Sequence, residues 1–245
     1  MSNQRDFSPG GRQPVFNLPP VIIASVAILL GIHLARTMLL SSDADFELIL
    51  RFAFIPLRVI EPETVGAVIP GGAAAAWWSF LTYALFHGDW SHLLFNCLWL
   101  AAFGSPLAWR FGTSRFLAFS AVGAIAGALM FLAFNSSELT PMIGASAAIS
   151  AHMAGACRFV FAAGGPIGRA GGAAAYRQPV APLRQALSDR RVMAFLGVWF
   201  GLNLLFGLWG GNSSISSGAI AWEAHIGGFL AGLFLFRYFD PVGSA

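Results

Sequence analysis

Lysine is absent from the 245-residue chain, and only 10% of its residues carry a charge. That is too little charge to coat a water-soluble globule of this size. Cysteine is nearly absent as well. Cys97 and Cys157 both fall inside apolar runs without C-x-x-C spacing, so they read as buried free thiols and support neither a zinc site nor a disulfide framework. The basic residues form no continuous stripe, which removes nucleic acid as a partner. An apolar core is missing from the first twenty residues, which hold Pro9, Pro14, Pro19, Pro20, Arg5 and Arg12. They are expected to form a flexible tail and not a cleaved signal peptide. No motif implies a metal or an organic cofactor.

What is abundant is apolar sequence. Hydrophobic residues make up 57% of the chain, and the 28 glycines raise the apolar share to roughly two-thirds. Soluble domains sit at about 45–50% on that count. A hydrocarbon core of about 30 Å requires about 20 apolar residues in a helix, and six such stretches occur, at 20–40, 91–109, 115–134, 144–163, 191–210 and 219–239. Each must be helical, because lipid offers backbone groups no partner. The fold class predicted is an all-α polytopic membrane protein, a bundle of six transmembrane helices.

Charge placement gives the orientation. Eleven of the fourteen arginines lie in or beside the tail, the second and fourth connections and the C-terminus: Arg5, Arg12, Arg110, Arg115, Arg158, Arg169, Arg177, Arg184, Arg190, Arg191 and Arg237. Arg36, Arg51 and Arg58 lie on the other side. The positive-inside rule then puts both termini in the cytoplasm. Trp77, Trp78, Trp90, Trp109, Trp209 and Trp222 fall near span ends, where amphipathic rings favour the interface. The organisation expected is a tail at 1–19, a membrane domain at 20–239 and a short C-terminal tail at 240–245. Within the domain, 41–76 is too long for a plain connection and is expected in the outer interface, and 164–190 reads as a flexible cytoplasmic loop.

Polar side chains inside spans are costly and default to functional candidates. With the N-terminus inside, spans two, four and six all enter from the outer face. His92 and Asn96 lie in the first two turns of span two, Ser146 at the start of span four and His225 about six residues into span six. At about 1.5 Å per residue, all four sit in the outer third of the bilayer. His92 and Asn96 are four apart and share a face. His225, Gly228 and Gly232 share a small face of span six, and Gly144, Ala148, Ala151 and Gly155 form a small stripe on span four, so the two helices can approach closely. His152 lies on another face of span four, about 9 Å deeper than Ser146, and reads as a packing or helix-to-helix residue. Glu223 lies nearly opposite His225 on its helix and cannot orient the imidazole. A serine–histidine dyad fits better than a triad. Ser146 would attack a carbonyl while His225 takes and later returns the proton. His92, Asn96 and the Ser146 backbone N–H are candidate oxyanion donors.

Three blocks, FHGDWSHLLFN at 86–96, IGASAAIS at 143–150 and AHIGGFLAG at 224–232, make the chain resemble the rhomboid family of intramembrane serine proteases. The resemblance implies Ser146 as nucleophile, His225 as base, and His92 with Asn96 as the oxyanion pair. It implies substrates that are transmembrane segments of other membrane proteins, cut near the outer face, with a gate formed by the connection near 211–218 and the start of span five. Two departures stand out: Ala147 occupies the place of the family's usual Gly after the serine, and the family's frequent Trp-Arg pair is not evident in 41–76. The alternative carried forward is a catalytically inactive relative that binds transmembrane helices. A transporter would show internal repeats and helices broken near the midplane, whereas no convincing repeat is found between the halves and the polar cluster lies near one surface. The six-span plan fits a bacterial plasma membrane.

Overall fold

The computed structural model describes residues 18–161, 165–166, 173–180, 182–209 and 221–242, apart from the side chains of 173, 204 and 206–209. The tail to residue 17 and the connection at 210–220, with the expected gate, lie outside the described residues, as do Arg5, Arg12 and Arg169.

Every regular element among the described residues is helical. The order is α1 (Pro20–Leu39), α2 (Ser42–Phe52), α3 (Pro56–Ile60), α4 (Pro62–Gly66), α5 (Ala75–Thr82), α6 (Trp90–Trp99), α7 (Ser105–Phe111), α8 (Thr113–Phe134), α9 (Ser146–Cys157), α10 (Leu183–Ala186), α11 (Arg190–Trp209) and α12 (Trp222–Phe239). Two of them are long and apolar enough by themselves to cross a bilayer: α1, of 20 residues, and α8, of 22 residues, whose 18-residue windows reach mean hydropathies of 2.0 and 2.2. The other expected stretches hold helices that are shorter, broken or less apolar; of the stretch at 144–163, the helix α9 covers only Ser146–Cys157. α6 and α7 are joined by a π-helical turn at Leu100–Gly104. Pro106, which has no N–H to donate, follows that turn directly, where the ladder has to adjust. Gly112 then turns the chain at a φ of 75°, a conformation that favours glycine, and α8 begins.

The segment 41–76 is a folded unit of short helices. Ser41 caps α2 through the Ala44 N–H at 3.3 Å, with Asp43 and Asp45 in the first turn. α3 and α4 each start on a proline, whose fixed φ suits a first helical turn. Arg58, fully buried, holds the unit together. Its guanidinium donates to the carbonyls of Leu50 (2.9 Å), Pro70 (3.2 Å) and Ala53 (2.6 Å). An isolated antiparallel bridge between Phe54 and Met142 pins the unit to the segment leading into α9.

The centre of the molecule is the packing of α8, α9 and α12, and it depends on missing side chains. A Cβ added at Gly228 would stand 2.0 Å from the Ala147 carbonyl oxygen, and one at Gly232 would stand 2.3 Å from that of Ala151. Backbone meets backbone along this seam. The α12 half of the expected small-residue contact is present, whereas the α9 half is formed by Ala147 and Ala151. Gly144 lies before the helix begins, and Gly155 faces Leu107. At the far end of α12, Arg110 makes a bidentate, buried ion pair with Asp240 at 2.8 Å and donates to the carbonyls of Tyr176 and Gln178.

Gly228→Ala is expected to destabilise the purified protein by about 1–3 kcal/mol, the usual range for overpacking a tight core. Gly31→Ala, where the added methyl meets nothing within 4 Å, is expected to leave the unfolding midpoint unchanged. Thermal unfolding of both variants in the same detergent checks the pair.

Candidate active site

The N-terminal ends of α6, α9 and α12 meet at one end of the three-helix core. Ser146 is the first residue of α9, and the turn that delivers it is held at successive residues. The Gly144 N–H bonds to the Tyr83 carbonyl at 3.0 Å, and the Ala145 N–H points to His87 Nε2 at 3.5 Å. Gly144 has a φ of 127°, which an L side chain rarely adopts. As the first residue of a helix, Ser146 places its own backbone N–H among the donors that have no intrahelical carbonyl.

His225, in the first turns of α12, points its Nε2 at the Ser146 hydroxyl at 2.7 Å. The other ring nitrogen, Nδ1, lies 2.5 Å from Asn203 Oδ1 on α11. The dyad expected from sequence therefore has a third polar partner. Glu223, as expected, takes no part: its carboxylate is engaged by the side-chain amide of Asn135 at 3.4 Å.

His92 lies in the first turn of α6, where the carboxylate of Asp89, the N-cap, accepts from its N–H at 2.8 Å. A Cβ built on Gly144 would lie 2.7 Å from His92 Nε2 and 3.7 Å from Ser146 Oγ. The space that glycine leaves open is thus flanked by the ring nitrogen and the hydroxyl. Asn96 is buried one turn further along α6, and its amide donates to the His92 carbonyl at 2.8 Å. Ser146, His92 and His225 are each partly exposed.

His87 was not singled out by sequence reasoning, although it stands five residues before His92 in the same block. It is buried, with its ring 4.9 Å from that of His92. Its carbonyl accepts from Arg36 at 2.8 Å, and Arg36 is paired with Asp45 of α2. Burial pushes the His87 imidazole down to about 3, helped by the neighbouring His92, His33 and Arg36, with Asp89 opposing. A neutral imidazole is the form that can accept from the Ala145 N–H.

A second serine–histidine contact joins Ser120 of α8 to His152 of α9 at 2.8 Å. The Ser120 hydroxyl also donates to the Phe116 carbonyl at 2.8 Å. With its one proton so used, it can only accept from the imidazole. His152 is buried between Phe116 and Phe119. This contact ties two helices together.

Residues 74–240, well over half of the chain, match the family model of the Rhomboid domain. The chain belongs to the rhomboid family. It is a rhomboid-family membrane protein, and the matched range takes in Ser146, His225, His92, Asn96, His87 and Asn203 while leaving α1 to α4 outside. No curated protein matches it. Its departure from the family's usual glycine at Ala147 has a structural counterpart. A Cβ on Gly127 of α8 would lie 2.4 Å from the Ala147 methyl, so the space the methyl fills is left free by a glycine across the seam.

Because His87 is held neutral in the fold and titrates near 6.5 when free, the unfolded chain binds the extra proton between pH 6.5 and 3. Stability is therefore expected to fall as pH drops through that window. His87→Gln, which keeps an acceptor but cannot titrate there, is expected to flatten the dependence in unfolding midpoints taken from pH 7 to 4.

Proposed function

We propose that this protein is an intramembrane serine endopeptidase that cuts transmembrane segments of other membrane proteins near the outer face of the bilayer. The observation that carries the reading is the 2.7 Å contact between the Ser146 hydroxyl and His225 Nε2 at the start of a helix. Ser146 Oγ attacks the scissile carbonyl while His225 Nε2 takes its proton, giving a tetrahedral oxyanion. His92, Asn96 and the Ser146 N–H stabilise that oxyanion in the space beside Gly144. Collapse breaks the C–N bond, and His225 returns the proton to the leaving amine. Water, activated by the same imidazole, then hydrolyses the acyl ester and restores Ser146.

Six membrane crossings with both termini cytoplasmic are part of this reading. α1, α6 continued by α7, α8, α9, α11 and α12 are the crossing helices. Support comes from the gathering of His92, Ser146 and His225 near the beginnings of three helices, as when all three enter from one face. Arg110 and Arg237 lie at the far ends of α7 and α12, whereas Arg36, Arg51 and Arg58 are near the site end. Exposed apolar side chains such as Ile23, Ile28, Leu94, Phe95, Leu98 and Val198 are the lipid-facing surface. The bilayer is that of a bacterial plasma membrane. The alternative, an inactive helix-binding relative, loses its main support because Gly127 accommodates Ala147.

Labelling by a fluorophosphonate probe tests the reading. The parent is expected to label and to cleave a reconstituted transmembrane reporter, and Ser146→Ala and His225→Ala are expected to do neither. Asn96→Ala should cleave about 10²- to 10³-fold more slowly, as for loss of one oxyanion donor. A folded parent that fails to label would favour the helix-binding reading, and cleavage by Ser146→Ala would refute the mechanism.

A further inference from the structure

The hydrogen bonds around Asn203 run in one direction only. Its amide nitrogen donates to the Trp199 carbonyl one turn back on α11 at 2.8 Å. That bond assigns the amide's two ends, because only the nitrogen can donate, and it leaves Oδ1 facing His225. Oδ1 is an acceptor, so the His225 nitrogen 2.5 Å away must carry the proton. With Nδ1 protonated in the neutral ring, Nε2 is the lone-pair nitrogen, and it is Nε2 that meets the Ser146 hydroxyl. Among the described residues lining the adjoining cavity, no other side chain offers a substitute. Asn203 shares a cavity of about 260 Å³ between α11 and α12 with Phe200, Gly201, Trp222 and Ile226, whose side chains present no acceptor.

We infer that Asn203 is a positioning residue that holds His225 in the Nδ1–H tautomer, turning the serine–histidine pair into a Ser146–His225–Asn203 relay anchored on α11. The inference rests on the protease reading for its kinetic consequence, although the tautomer itself is independent of turnover. Asn203 touches neither substrate nor the reacting atoms. It acts by keeping Nε2 free to accept, and by accepting a charge-assisted bond once His225 becomes imidazolium. It also makes the catalytic base answerable to α11, a helix that contributes no other side chain to the site among the described residues.

The test uses the full-length protein reconstituted in liposomes, with Asn203→Ala, Asn203→Asp and a Ser146→Ala control. Asn203→Ala is expected to lower kcat about 10- to 100-fold, the usual effect of losing a hydrogen bond to a charged group, with KM and the unfolding midpoint unchanged. Asn203→Asp keeps the acceptor and adds a negative charge beside the imidazole. It should recover most of the rate and move the acid limb of the kcat/KM profile to higher pH. Imidazole ¹⁵N shifts, assigned by loss of the signal in His225→Gln, should show Nδ1–H in the parent and a mixture or the reverse tautomer in Asn203→Ala. Parental rate and parental shifts in Asn203→Ala would overturn the inference, as would Asn203→Ala and Asn203→Asp being equally slow with unmoved acid limbs. An inactive parent whose His225 is nonetheless Nδ1–H, and loses that state in Asn203→Ala, would uphold the positioning role and defeat the protease reading.

Discussion

The distance between two backbones governs this molecule. α9 and α12 approach until the carbonyls of Ala147 and Ala151 occupy the volume that side chains at Gly228 and Gly232 would fill. Only at such a separation can a serine on one helix and a histidine on the other meet at 2.7 Å with ordinary side-chain lengths. Helices in lipid gain little from burying apolar surface against one another, since the tails are equally apolar. Close packing and interhelical hydrogen bonds must supply the association. The same glycines therefore serve the fold and the Ser146–His225 contact, and neither can be relaxed alone. Ala147 shows how far the constraint extends, because its extra methyl on α9 is met by the missing one at Gly127 on α8.

A second consequence of an apolar environment is that polar groups must be satisfied inside the protein. Arg58 gathers three carbonyls of its own loop. Arg110 combines the Asp240 carboxylate with two carbonyls, joining α7, the 173–180 segment and the end of α12. Removing one partner of such a buried pair typically costs about 3–5 kcal/mol. Arg36 links α1 to α2 through Asp45 and to the His87 carbonyl. Each arginine is thus a bracket on loop backbone, and two of them, Arg58 and Arg36, brace the connections that lead to Ser146 and to His92.

Most of the helix positions were legible because a long apolar run in a chain with so little charge has few alternatives to a helix. Ser146, His225, His92 and Asn96 were legible because a shared depth on alternate spans is an arithmetic property of the sequence. The structure brings the first two into contact and sets His92 beside them across Gly144, with Asn96 behind. The small stripe on α9 was misphased, since Gly144 belongs to the turn and not to the helix; a positive φ cannot be read from a glycine inside an apolar run. The segment 41–76 was legible as unusual but not as a folded unit. Its organiser, Arg58, acts through backbone carbonyls, and those leave no trace in residue types. Asn203 was missed for a related reason. It stands alone among apolar residues on α11, with no polar neighbour at helical spacing, and its meaning depends on how α11 is rotated against α12.

That dependence on rotation bears on how His225 is oriented. Ser146 and His225 are joined across the tight α9–α12 seam, which has little freedom to change. The orienting contact comes instead from α11, which packs against α12 through larger side chains: Trp199 stacks on Phe229 with ring centroids 5.1 Å apart, and Phe200 meets the same ring edge-on at 5.3 Å. Aromatic contacts of this kind tolerate small rotations and shifts better than a seam of backbone against backbone does, because a ring can tilt or slide where a carbonyl cannot. A hydrogen bond tolerates them least, since its strength falls steeply with angle. A small displacement of α11 would therefore leave the helix packed and the serine–histidine distance intact while loosening the bond that selects the tautomer. In the proposed mechanism the rigid seam would set where the proton travels, and the softer one would set whether His225 is ready to receive it.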